Sequence, residues 1–201
     1  KNDEGMAHAR LLPGFVDEVL KNLGGAKIDA VAVSSGPGSY TGLRIGVATA
    51  KGLALGYDAP LISVPTLELL AYTVKSSVEV EKDALICPMI DARRMEVYSQ
   101  LFDVDVKEAG ETQAEIITED SYKELLQTGK KVYFAGDGSA KCSGVITSEN
   151  AVFVDSIEPD AANMAELAER RLRNGEFVDV AYFEPFYLKE FVATQSKHKV
   201  L

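Results

Sequence analysis

Residues 34–46 read "SSGPGSYTGLRIG" and follow directly on the apolar run "AVAV" at 30–33. Four glycines, one proline and four Ser/Thr side chains stand between what reads as a buried strand and an amphipathic segment. Gly36 and Gly38 permit positive φ or close backbone approach, Pro37 fixes its own φ, and Thr41 can cap a following helix. A strand that turns into a helix N-terminus is also a place where an anion can sit. The known chemical motifs fail here, however. Counting from Gly36 or Gly38, neither frame gives the Gly-Lys-Ser/Thr of a phosphate loop. The dinucleotide fingerprint meets Thr41 where its third glycine should be. Ser39 is flanked by Pro37 and Thr41 where a nucleophile elbow needs glycines.

Outward from this loop, the pattern alternates. Leu11, Leu12, Phe15, Val16, Val19, Leu20 and Leu23 predict an amphipathic helix over 9–23, stopped at Gly24-Gly25. Residues 29–35 and "PLISVP" at 60–65 predict buried parallel strands. Helices are predicted over 41–57, with Leu43, Val47, Leu53 and Leu55 as large apolar residues, and from Thr66, which resembles an N-cap. Gly42, Gly46 and Ala50 form a smooth stripe at four-residue spacing. Spacing alone leaves open whether a sheet of this chain or another chain approaches it.

Around 78–83 the pattern breaks into charge, a candidate boundary between units 1–80 and 81–201, with the C-terminal segment packing back on the first. "ALICPMI" and "MEVYSQLFDV" predict a hairpin around the corner Asp91-Ala92-Arg93-Arg94. A short helix ending at Gly129, a strand "KVYFAG", a second strand-to-helix junction "GDGSAKC" and a strand "AVFV" follow. The last helix is capped at Asp160 or Asn163 and stops at Gly175. Phe186 and Tyr187 predict an aromatic anchor before a mobile polar tail.

The chain has 201 residues, 46% hydrophobic and 26% charged, with a formal net charge of -10. That balance argues against a broadly basic nucleic-acid face. The basic patches Lys130-Lys131, Arg170-Arg171 and Lys197 to Lys199 read as solvated surface. No apolar run has the length of a membrane span and no secretory signal is evident, so the expected compartment is the cytoplasm. Cys87 reads as a buried thiol and Cys142 as a loop thiol; neither pairs with ligand-spaced neighbours, and His8 and His198 stand at opposite ends. No metal site is predicted.

The blocks "SSGPGSYTGLRIGVATAKGLALG", "PLISVPTLELLA", "HARLLPGFVDEVL", "DARRMEVYSQLF", "GDGSAK" and "EPFYLKEFVATQ" together resemble the TsaB (YeaZ) family of bacterial tRNA threonylcarbamoyladenosine synthesis. The resemblance spans nearly the whole chain. It implies an α/β, two-lobed ASKHA (actin/hexokinase-like, RNase H-like) fold. Family members open with a strand-turn-strand hairpin; this chain starts after it, without an initiator Met, so that hairpin is expected to be missing from the chain as written.

The resemblance further implies a non-catalytic scaffold and activator. Such a subunit binds TsaD and, with TsaE, supports threonylcarbamoyl transfer to adenosine 37 of tRNAs reading ANN codons. It forms a homodimer when alone, meets tRNA only through the complex and has no membrane role. No cofactor of its own is implied, ATP or ADP being held weakly or only with the partner. The metal-binding His-x-x-x-His of TsaD has no counterpart, since Leu12 stands four residues after His8. The helices that match the family's pairing helices put Leu12, Phe15, Val16, Val19, Leu43, Gly46, Val47 and Ala50 at the partner or dimer contact. Gly36, Pro37, Gly38, Thr41 and Gly42 form a structural loop. The rival class is an enzyme acting alone, a peptidase or nucleotide hydrolase. Its only candidate loop carboxylates are Asp91 and Asp137, for which turn formation is the stronger reading.

Overall fold

The computed structural model describes residues 8–189; the side chains of residues 8–10 and everything from 190 on, including Lys197, His198 and Lys199, lie outside that description. The first elements are α1 (His8–Asn22), β1 (Val31–Ser34), α2 (Tyr40–Gly56), β2 (Leu61–Val64) and α3 (Thr66–Ser77). β1 and β2 pair in parallel, Val31 opposite Leu61 and Ser34 opposite Val64. Both are short apolar runs, as strands covered on two faces require. α2 and the segment around Val178 to Phe183 cover one face, where Val33, Val47, Ala50, Ala54 and Leu61 pack together. Ile62, Val64, Leu69 and Leu167 meet on the other face.

Beyond residues 78–83 come β3 (Leu85–Asp91), β4 (Glu96–Ser99), β5 (Gln113–Ile116), α4 (Lys123–Gln127), β6 (Val132–Ala135), a 3-10 turn (Ala140–Cys142), β7 (Ala151–Val154) and α5 (Ala161–Asn174). The strands form one mixed sheet in the order β5-β4-β3-β6-β7. β3 and β4 are the antiparallel hairpin predicted around the Asp91–Arg94 corner, and β3, β6 and β7 run parallel. Side chains alternate by the period of two. Ile86 faces α3, with Leu67, Leu70, Ala71 and Val74, whereas Cys87 and Met89 face Phe134, Leu126 and Cys142.

α5 is capped by Asp160, whose side chain accepts from the Ala162 amide at 2.9 Å, and stops at Gly175 in the left-handed region. This helix returns to the first sheet, packing on β2 and α3. An ionic clamp fixes it there. The largely buried Glu68 carboxylate on α3 takes Arg170 at 3.0 Å and Arg171 at 2.6 Å. The backbone then forms an antiparallel bridge from Val178 to Leu61.

Three local expectations are corrected. Ser39, not Thr41, caps α2: its side chain accepts from the Gly42 amide, and Thr41 already lies inside the first turn. Pro65 precedes the first residue of α3, and Thr66 turns its hydroxyl back to the glycine loop instead of capping. Cys142 is fully buried, its thiol donating to the Gly138 carbonyl.

Candidate functional site: a helical face and two glycine loops

The glycine loop is a junction of three chain segments. The Gly36 amide donates to Thr66 Oγ1 at 3.1 Å, the Thr66 amide donates to the Gly36 carbonyl at 2.8 Å, and the hydroxyls of Ser34 and Thr66 lie 2.6 Å apart. From the far end of the chain, the Phe186 amide donates to the Ser35 carbonyl at 2.7 Å. Gly36 has φ 111°, and a Cβ there would come to 2.5 Å from the Phe186 carbonyl oxygen. Glycine is therefore demanded by a backbone pressed against it. Gly38 and Gly42 are less constrained, since a Cβ on either would meet only ordinary contacts. Pro37 is buried beside Gly36. The loop's polar groups are directed at the chain itself, which is what an architectural loop does.

The second junction repeats the design. Gly136 has φ 99°, and a Cβ there would run into the Met89 carbonyl; one on Gly138 would lie 2.8 Å from the Ile90 carbonyl carbon. Both carboxylates singled out in the sequence are engaged here in turns. Asp137 Oδ1 accepts from the Asp91 amide at 2.9 Å, and Asp91 Oδ1 accepts from the Arg93 amide at 2.8 Å while pairing with Lys141. The hydrogen bond from Lys141 holds the Asp91 carboxyl below its ordinary range. Among the described residues no group of three or more His, Cys, Asp or Glu is placed to hold a metal ion.

The eight expected contact residues divide. On α1, Phe15 is 50% exposed and Val19 58%, and Leu23 continues that row at 46%. Leu12 and Val16 form the neighbouring, half-buried row, and α2 is the helix's main neighbour. The residues expected from α2 fall otherwise. Leu43, Val47 and Ala50 are buried within the chain, Val47 and Ala50 against Val33 and Leu61 of the first sheet. Gly46 is half-buried, and a Cβ there would reach Val33 at 4.0 Å. Gly46 and Ala50 of the small stripe thus lie toward the sheet, and Leu43, Val47 and Ala50 are core residues of the chain on its own. The outward apolar residues of α2 are Leu55, at 73% exposure, and Tyr57 just past its end. Leu55 had been visible as one of the helix's large apolar residues; its angular offset from Val47 was the signal for its outward face.

At the start of α2, Arg44 Nη1 donates to the Tyr40 hydroxyl at 2.9 Å and its cation lies 5.5 Å from that ring's centre. The Tyr40 ring also lies 4.8 Å from that of Tyr187, so the expected aromatic anchor docks on α2 through Tyr187 and on the glycine loop through the Phe186 backbone.

This combination of α/β units, glycine junctions and an apolar α1 row can be set beside known proteins. Residues 4–197 match the family model described as TsaD: tRNA N6-adenosine threonylcarbamoyltransferase. The chain is 34% identical over 193 residues to the tRNA threonylcarbamoyladenosine biosynthesis protein TsaB of Haemophilus influenzae, covering 91% of this chain and 80% of that protein. It is 32% identical over 195 residues to the protein of the same name from Escherichia coli, covering 92% and 81%. The solved structure of YeaZ from Pseudomonas aeruginosa superposes with a TM-score of 0.72 at 26% identity, over 91% of this chain and 85% of that one. Matches of this length, with the mixed five-stranded sheet, establish an ASKHA-type α/β fold, and the chain belongs to the TsaB (YeaZ) family within the TsaD-like proteins.

Proposed function

We propose that this chain is a subunit of the machinery that makes threonylcarbamoyladenosine in tRNA, and that it works by contact, not by chemistry of its own. It docks on a TsaD partner through the outward row of α1 and supports the partner's transfer of threonylcarbamoyl to adenosine 37 of tRNAs reading ANN codons, with TsaE joining through the complex. Alone, it pairs with a second copy through the same face. The observation that carries this reading is the row Phe15-Val19-Leu23, three large apolar side chains each about half exposed or more on one face of a helix. Such a row is costly in water and forms the apolar centre of an interface once covered. The relatives' names supply the pathway. The engagement of Asp91 and Asp137 in turns supports a non-catalytic role.

Light scattering after size-exclusion chromatography, with the full-length chain alone and with TsaD of the same organism, tests the proposal. A heteromeric complex that displaces any self-dimer is the expected result. Separate elution of two folded proteins would overturn it.

A further inference from the structure

Of the basic pairs in the described residues, two have an acidic partner within the chain. Lys131 pairs with Glu81, and Arg170 and Arg171 both pair with Glu68. Arg93-Arg94 is different: both residues are exposed at the tip of the β3–β4 hairpin, and neither has an ion-pair partner among the described residues. Their backbone is also unusual. Arg93 has φ 74° and Arg94 φ 51°, a left-handed pair in which Asn and Gly are the residues of least strain. Holding two arginines there costs stability on the order of 1–2 kcal/mol per residue. The contacts that brace the turn are made by the Arg93 backbone, and no ion pair of either guanidinium is found among the described residues.

The base of the tip is braced from three directions. Asp91 holds the Arg93 amide, Asp137 holds the Asp91 amide, and Lys141 joins Asp91 to the Glu96 carbonyl at 2.7 Å. Lys189, from the C-terminal segment, pairs with Glu96. Two guanidinium groups are thus carried on a fixed turn, in a chain whose net charge of -10 would otherwise repel a polyanion. Exposed guanidinium groups carried on such a turn suit bidentate recognition of phosphate oxygens.

We infer that Arg93 and Arg94 are a contact point for the phosphodiester backbone of RNA. This rests on the proposed function, which brings tRNA to the assembly; on that reading the tip is one place where this subunit touches the tRNA directly. The contact is sequence-independent and positions the substrate without taking part in the chemistry.

The experiment uses an unmodified tRNA transcript, labelled for fluorescence anisotropy and titrated with the complex of the full chain and TsaD across a salt series. Arg93→Gln with Arg94→Gln is expected to weaken binding about tenfold near physiological salt and to make log K against log salt shallower by about 1.5–2. Arg93→Asn with Arg94→Gly suits the turn better; it should lose RNA binding equally while raising the melting temperature, which separates the contact from folding. Arg93→Lys with Arg94→Lys should retain the slope. An Asn-Gly variant with the parent's affinity and slope would overturn the inference. So would loss of TsaD co-elution in the Gln pair, which would mark the tip as a protein contact. If the parent chain itself fails to co-elute with TsaD, the proposed function falls first. The chain alone is then titrated, and the absence of salt-dependent binding that Arg93 and Arg94 control overturns the inference as well.

Discussion

Thr66 and Gly36 hold each other by two reciprocal hydrogen bonds, the Gly36 amide donating to the Thr66 hydroxyl at 3.1 Å and the Thr66 amide donating to the Gly36 carbonyl at 2.8 Å. The start of α3 is thereby tied to the exit of β1, and the Phe186 backbone closes over both. Gly36→Ala must therefore accommodate a Cβ 2.5 Å from a carbonyl oxygen at a positive φ. We expect it to lose about 2–4 kcal/mol of folding stability, read from a denaturant melt. Thr66→Val keeps the shape and leaves the buried Gly36 amide without its acceptor, at a cost of about 1–3 kcal/mol. A Gly36→Ala protein with unchanged midpoint would show that the Phe186 segment does not seat as described.

Ala50 and Val19 test core against surface. Ala50→Glu puts a carboxylate into the cluster with Val33 and Leu61, so the chain itself should lose its cooperative thermal transition, at a cost above about 3 kcal/mol. Val19→Asp, on a residue 58% exposed, should leave the melt within about 0.5 kcal/mol of the parent while weakening association with TsaD. Circular dichroism and chromatography on the same samples separate the two. A stable Ala50→Glu chain that only fails to associate would return Ala50 to the interface.

Glu68 sits between two arginines of α5 on a side chain only 11% exposed. Glu68→Gln leaves Arg171, itself largely covered, without its counter-charge, and should cost about 2–3 kcal/mol after allowance for the more exposed Arg170. Proteolysis should then begin near α5. Wild-type protease resistance in the variant would show the clamp to be dispensable.

Asp91 carries a pH signature. Its carboxyl is held below the ordinary 3.8 by the hydrogen bond from Lys141. A depressed folded-state value means that this stabilisation is fully present above about pH 4–5 and is lost as pH falls through the folded value. Acid titration of the parent against Lys141→Met should show the parent's added stability shrinking as pH drops below 4, with the two curves converging. Curves that stay parallel down to pH 2 would show that the Asp91–Lys141 pair makes no net contribution.

Most of the fold was legible because buried strands and glycine stops are local signals. The runs at 31–34, 61–64 and 132–135 are apolar on both faces, and Gly129 and Gly175 mark helix ends by their positive φ. β5 was not foreseen: "QAEI" is an edge strand whose residues are mostly exposed, so it carries no burial pattern. The division between covered and open apolar residues was half legible. On α1, whose main neighbour is a single helix, the apolar rows separate cleanly into covered and open. On α2, Leu43, Val47 and Ala50 are apolar for the same reason an interface residue would be, and only the position of the sheet distinguishes the cases. Thr66 misled because its hydroxyl serves a residue thirty positions earlier, beyond any local pattern.

The Phe186–Ser35 hydrogen bond has a consequence for synthesis. β1 and β2 leave the ribosome before Val178, Val180 and Phe183, which complete their core, and before Phe186, against which the glycine loop is moulded. The β1–β2 layer is accordingly completed only once the segment around residues 178–186 has been made. In a nascent chain stalled before residue 178 the loop at 35–38 should be open to protease, and release past residue 187 should protect it.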